Sequence, residues 1–201
     1  MEQDRSTEEK IMEAARKVFH RKGLAGSRMQ EIADEAGINK ALLHYYFRSK
    51  DRLFDAVFIE AFNKLLASVR GVLDADMPLF DKIRDFVRVY QENIDQNSFI
   101  PAFVINEVNQ NPEKILVQFV KSVNLPGKFI EQVGEAIRNH QIRPVSPKDL
   151  LVNMMSMSLF PYVAAPIIRT ILFRNDQTEY QRFLLQRRET VSEFIINAIK
   201  P

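Results

Sequence analysis

The chain has 201 residues, 46% of them hydrophobic, with 28 lysines and arginines against 26 aspartates and glutamates and a formal net charge of +2. That apolar content can fill one large domain or two small ones and excludes a disordered chain, while the near-balance of charge requires any nucleic-acid-binding surface to be local. The absence of cysteine excludes disulfide scaffolds and thiolate metal sites and, with a charged start MEQDRSTEEK that lacks the apolar core of an export signal, leads us to expect a cytoplasmic protein.

Six glycines, few alternating apolar runs and many i, i+3, i+4 apolar repeats predict an all-α fold. Ser6-Thr7-Glu8-Glu9 reads as a capping box, followed by Ile11, Ala14, Ala15, Val18 and Phe19 on one helix face that Gly23 ends. Ser27-Arg28-Met29-Gln30 reads as a second box, opening a helix with Ile32, Ala33 and Ala36 inward until Gly37 stops it. Asn39 is expected to cap a short third helix, about Asn39 to Phe47, and Ser49 a fourth from Lys50 to about Val72. Further helices are expected over Leu79–Ile94 and Phe99–Gln110. Another starts at Asn111-Pro112 and is kinked or broken by Pro126-Gly127, one starts at Ser146-Pro147, and the last starts at Asp176 or Thr178.

Between Ile32 and Tyr46 the spacing is that of a helix-turn-helix. Ala33 supplies the small residue where two steeply crossed helices touch, and Gly37 supplies left-handed geometry at the turn. Leu43 and Tyr46 are expected to pack inward with Phe47, leaving Lys40, Ala41, Leu42, His44 and Tyr45 outside. The basic residues Arg16, Lys17, Arg21, Lys22 and Arg28, and then Lys40, Arg48, Lys50 and Arg52, flank the second helix of the motif. The acids Glu31, Asp34 and Glu35 sit on the first. Charge placement and helical spacing together point to DNA.

Residues 10 to 58, KIMEAARKVFHRKGLAGSRMQEIADEAGINKALLHYYFRSKDRLFDAVF, resemble the TetR/AcrR family of bacterial transcriptional regulators. They show a first helix ending Phe-x-x-Lys-Gly, the Ile-Ala-x-x-Ala-Gly-Ile turn and Tyr-Phe-x-Ser-Lys-x-x-Leu-Phe. The resemblance implies a helix-turn-helix DNA-binding domain over residues 1–52 and a helical ligand-binding and dimerisation domain over 53–201. It implies that Lys40, Ala41 and Leu42 face base edges and that Arg28, His44, Tyr45, Tyr46 and Lys50 hold phosphates, with Lys50 beside the free amides at the start of the fourth helix. The sequence departs from the commonest pattern at Ala41, often glycine, at Leu42, often small and polar, and at His44, often tyrosine. Leu42 is therefore suited to a thymine methyl.

Beyond the motif, Phe86, Tyr90, Phe103, Phe119, Met154, Met155 and Tyr162 offer an apolar, partly soft lining for an effector pocket, with Asn106, Glu107, Asn153 and Tyr162 as polar anchors. Such a lining suits a small hydrophobic or amphipathic effector. The stretch 150–173, LLVNMMSMSLFPYVAAPIIRTILF, nearly reaches membrane-spanning length, but Asn153, Pro161, Pro166 and Arg169 interrupt it. A buried, kinked helix whose outer face meets a partner subunit is expected instead, and no membrane is expected as a partner. By the same resemblance the final helices form a homodimer interface, with Leu159, Phe183, Val191, Phe194 and Ile195 as candidate contacts. A two-fold dimer reading palindromic double-stranded DNA follows, with repression relieved by ligand. Three scattered histidines and the absence of catalytic, phosphate-loop or metal-ligand motifs predict neither enzyme nor metal site nor cofactor. The rival reading is an architectural or division-linked DNA-binding protein of the same fold without a small ligand.

Overall fold

The computed structural model describes residues 2–110, 113 and 127–201, and all regular structure in that set is helical. The helices are α1 (Glu2–Gly26), α2 (Met29–Ala36), α3 (Lys40–Tyr46), α4 (Lys50–Asp74), α5 (Leu79–Gln96), α6 (Ile100–Gln110), α7 (Gly127–Arg138), α8 (Pro147–Val163), α9 (Ala165–Phe173) and α10 (Gln177–Ile199). The expected helix start at Asn111-Pro112 and the break at Pro126 lie outside the described residues. The chain divides into two compact units, Met1–Lys64 with Asn97–Ile100, and Leu65–Gln96 with Pro101–Pro201.

Several predicted caps form as expected. Asn39 accepts from the Leu42 amide at 2.7 Å, Ser49 from Arg52 at 3.2 Å, Ser146 from Asp149 at 3.3 Å and Asp176 from Glu179 at 2.9 Å. Each satisfies an amide that a helix N-terminus would otherwise leave open. Two expected boxes do not form. The first helix already runs from Glu2, so Ser6 lies within it. At the second, Arg28 is the N-cap without a side-chain bond. Ser27 is buried instead and turns its hydroxyl to the Leu24 carbonyl at 2.9 Å. Glu31, three residues after Arg28, accepts instead from the Lys22 ammonium at 2.7 Å.

In the first unit, α1 contributes Ile11, Ala15, Val18 and Phe19, α2 contributes Ile32 and Ala33, and α3 contributes Leu43, all fully buried. Phe54 of α4 meets Phe19 edge-on at 4.9 Å and Phe99 at 5.6 Å. Each buried phenyl is worth about 1.5–3 kcal/mol of transfer free energy. Gly23 interrupts α1 with φ +66°, and the four-residue end of that helix turns toward α2.

In the second unit, α5 packs against α8 and α10, and α7 packs against α8. The ion pairs Arg84–Glu193 at 2.8 Å and Arg188–Asp95 at 2.6 Å run α5 antiparallel to α10. The apolar stretch 150–173 is two helices, α8 and α9, meeting at 74°. Among the described residues no single helix is long and apolar enough to cross a membrane. Pro161 stands inside α8 and has no amide hydrogen to give the Met157 carbonyl. Arg187 of α10 takes that carbonyl at 3.0 Å, and the Tyr180 hydroxyl takes the Pro161 carbonyl. The break itself falls at Ala164, with Pro166 in the first turn of α9. Contrary to expectation this stretch is not a buried helix, for α9 has no buried residue at all. Its apolar side chains instead lie open on one chain.

Candidate nucleic-acid interface

The turn between α2 and α3 is built by Gly37, whose φ of +67° and ψ of +31° place it in the left-handed region. Its amide reaches the Asp34 carbonyl at 3.2 Å and the Ile38 amide reaches Ala33 at 3.0 Å, closing α2 with a Schellman-like pair. Ala33 is fully buried beneath the crossing, and Leu43 and Phe47 anchor α3 from below. A seven-residue helix with two inward anchors leaves its other side chains to solvent.

That outward face carries the predicted residues. Lys40, Ala41, His44 and Tyr45 are exposed, Tyr45 at 78%, and Leu42 is exposed at 37%. Tyr45 meets Tyr46 edge-on at 5.4 Å, which fixes the exposed ring against a half-buried one. Arg28, Arg48 and Arg52 are exposed as well.

Lys50 sits differently from expectation. It is half-buried, and its ammonium donates to the carbonyls of Leu24 at 2.8 Å and Ser27 at 3.1 Å. Two of its three donors therefore tie the start of α4 to the bend between α1 and α2. The basic run on α1 is also spent within the protein. Arg16 pairs with Glu60 at 2.6 Å, Lys17 with Glu13 at 3.0 Å, Arg21 with Glu35 at 2.8 Å and Lys22 with Glu31 at 2.7 Å. The Lys22 hydrogen bond holds the Glu31 carboxyl below its usual range, and the Arg21 hydrogen bond does the same for Glu35. These acids were read as simply segregated on α2. They are the partners of the α1 cations, so the field facing outward comes from Arg28, Lys40, Arg48 and Arg52, none of which has an ion pair among the described residues.

The residues predicted for an effector pocket separate. Phe86 and Tyr90 stack at 5.7 Å and 10° with both rings buried, and Met154 is fully buried. Burial pushes the Tyr90 hydroxyl up to about 12. Phe103 is half-buried. Met155, next in sequence to Met154, is turned by about 100° on the helix and is exposed, so it cannot share a lining with Met154. Tyr162 is half-buried, its ionisation disfavoured by burial and then by the Asp95 carboxylate beside it. Phe119 and the side chain of Asn106 lie outside the described residues.

Of the predicted interface residues, Phe194 is exposed at 63%, and Leu159 and Phe183 are half-buried. Val191 and Ile195 are each only 3% exposed within their own chain. The correction is one of helix phase, because these two share the inward stripe of Tyr180, Leu184 and Ile199. The apolar residues left open are Leu185 and Phe194 on α10, Val152 and Phe160 on α8, and Ile167, Ile171 and Leu172 on α9.

A small residue at a steep crossing, a left-handed glycine and a short exposed helix among unpaired cations define a helix-turn-helix DNA-binding protein. The pattern described as bacterial regulatory proteins, tetR family, matches residues 11–57. The chain is 27% identical over 185 residues to the probable HTH-type transcriptional regulator YttP of Bacillus subtilis, covering 87% of this chain and 86% of that one. It is 37% identical over 67 residues to the HTH-type transcriptional repressor NicS of Pseudomonas putida, 32% of each chain. The fold matches a TetR-family transcriptional regulator from Haemophilus influenzae at a TM-score of 0.58 and 17% identity, covering 100% of both chains. The chain resembles the TetR family of bacterial regulators, by the family's pattern over residues 11–57 and by 27% identity to one such regulator along most of its length. It is a DNA-binding transcriptional regulator and not an enzyme.

Proposed function

We propose that the protein is a cytoplasmic, ligand-relieved repressor that binds palindromic operators as a homodimer, with residues 1–52 as the DNA-binding domain and 53–201 as the effector and dimerisation domain. The observation that carries this reading is the outward face of α3, held by Leu43 and Phe47 and bordered by cations without ion pairs. Lys40, Ala41 and Leu42 are assigned to base edges. Lys40 suits a guanine O6 or N7, and the exposed Leu42 suits a thymine methyl. Arg28, His44, Tyr45 and Tyr46 are assigned to phosphates. Lys50 keeps one donor for the same task, while its other two position α4.

Dimerisation has support in energetics and in the open apolar surface of α8, α9 and α10. One seven-residue recognition helix reads only a few base pairs, and a two-fold pair spaced by about 34 Å or a multiple supplies both affinity and choice of site. Large apolar side chains left open on neighbouring helices are a feature of association surfaces. An effector that favours one arrangement of the two subunits would mis-space the recognition helices and release the operator. The name of NicS as a repressor favours repression over activation.

Selection of bound sequences from a random DNA pool tests the reading, with protein chains counted per selected duplex. A palindrome occupied by paired chains is the expected result, and an absence of enrichment would contradict it. Lys40→Ala is expected to change the preferred base at one position per half-site, at a cost of about 1–3 kcal/mol there. A uniform loss across all operator variants would place Lys40 on the backbone.

A further inference from the structure

Helix α4 ends at Asp74, and its last carbonyls have no partners within the helix. Side chains from two later helices take them. Lys82 of α5, only 2% exposed, donates to the Leu73 carbonyl at 3.1 Å. Lys128 of α7 donates to the Asp74 carbonyl at 3.3 Å, and Gln132 of α7 donates to the Met77 carbonyl at 2.8 Å in the turn before α5. The end of α4 is thereby clasped by α5 and α7.

Beside the clasp lies a cleft of about 450 Å³ between the start of α5 and the end of α7. This is within the size range of small-molecule sites. Leu79, Phe80 and Ile142 give it apolar walls, Gln132 and Glu135 line it from α7, and Asn139 lines it from just beyond the end of that helix. Gln132 and Glu135, three apart, share a face of α7, and the Asn139 amide bonds the Glu135 carbonyl at 2.9 Å so that the next turn follows the same line. Gln132 spends its amide nitrogen on Met77, which ties the lining of the cleft to the turn before α5. Glu135 has no ion pair among the described residues. The cleft therefore offers an apolar wall and an unpaired negative charge. A carboxylate ligand would meet repulsion from Glu135, whereas an ammonium, which only donates, can pair with it.

We propose that this cleft binds a small amphipathic amine as its ammonium, and that occupancy is transmitted to the end of α4 through Gln132. Binding stands on the cleft alone. Its regulatory meaning rests on the effector-responsive reading above.

The test uses the purified full-length protein and calorimetric titration with n-hexylammonium, n-hexanol and n-hexanoate. Hexylammonium is expected to bind saturably and at least about tenfold more tightly than hexanoate, a charge-assisted hydrogen bond being roughly twice as strong as a neutral one. Glu135→Gln should lower the amine affinity about tenfold. Asn139→Arg, at an exposed position that tolerates the change, should lower it again by adding a cation to the lining. Circular dichroism checks that both variants fold. Equal affinity for hexanoate, or undiminished amine binding in both variants, overturns the site. Operator affinity is then measured with and without hexylammonium. A change that Gln132→Leu abolishes supports the transmission. A change that survives Gln132→Leu, or no change in a protein that binds both amine and operator, overturns it. Amine binding by a protein that binds no DNA supports the site and sinks the regulator reading instead.

Discussion

Among the described residues, the unit built on α1 to α3 and most of α4 seals around Phe19, Phe54 and Phe99 and buries Ser27 and Asn97 as polar residues, whereas the other unit buries Lys82, Gln91, Asn93, Ser158 and Ser192. The polar groups of the first unit serve its corners, as Ser27 does by closing the bend to α2. Among the described residues the amide of Gln91 and the hydroxyl of Ser158 in the second unit are enclosed without a hydrogen bond, and so is one carboxylate oxygen of Glu31 in the first. A buried polar group without a partner costs about 1–3 kcal/mol. The contrast is one of degree: both interiors carry an enclosed polar atom without a partner among the described residues, and the second carries more of them.

The largest expected effect falls on the closed core. Phe19→Ala removes a fully buried ring and its edge contact with Phe54, and should cost about 3–5 kcal/mol. Chemical denaturation followed by circular dichroism should resolve an early transition and loss of operator binding. Unchanged operator binding would mean that α3 does not depend on this core. Next in size is Gly37→Val. At φ +67° a side chain is strained whatever space surrounds it, and the left-handed region costs about 1–2 kcal/mol for an ordinary residue. Operator affinity should fall together with stability, and a variant that bound DNA normally would show that the turn tolerates another geometry.

Gln91→Leu sharpens the comparison from the other side. Replacing an enclosed amide that has no partner with an apolar group of similar length should raise stability by about 1 kcal/mol. Its denaturation midpoint, read against that of Phe19→Ala, would show substitutions in the two units acting with opposite sign. A loss of stability would mean that Gln91 is held by ordered water.

Much of the motif was legible from local chemistry. Asn39, Ser49, Ser146 and Asp176 each bond an amide three residues ahead, an interaction carried wholly within four residues of sequence. Ala33, Gly37, Leu43 and Phe47 likewise take the places that spacing assigned them. What failed depended on distant residues. The basic run Arg16 to Lys22 looked unopposed because its acids are 14 and 9 residues away for Arg21 and Lys22, and 44 for Arg16. Lys50 looked like a free cation because nothing local shows the Leu24 and Ser27 carbonyls converging on it. On α10 apolar residues occur on both sides, so periodicity alone could not tell the inward Val191 and Ile195 from the outward Leu185 and Phe194. The clasp at the end of α4 joins residues 54 and 55 positions apart and left no mark in any short window.

The smallest effect separates the units by pH. In the first, the Lys22 and Arg21 hydrogen bonds lower the carboxyls of Glu31 and Glu35 below the ordinary value of 4.5. A carboxyl depressed on folding stabilises fully above its unfolded value and loses that contribution as pH falls through its folded one. In the second unit burial lowers the Lys82 ammonium from 10.5, with Asp74 and Asp76 opposing the shift. An ammonium depressed on folding makes stability rise with pH between its folded and unfolded values, since the unfolded chain binds more protons there. The first unit should therefore weaken on the acid side, and the second should gain on the alkaline side. Denaturation midpoints for the wild type and for a Lys22→Gln, Arg21→Gln double variant, taken from neutral pH to below 4.5, test the acid arm. These ion pairs are exposed, so the pH-dependent shift should be small, and it should shrink in the double variant. An identical shift in both proteins would assign the acid sensitivity to other carboxyls and remove the α1–α2 pairs from the account of how the first unit is held.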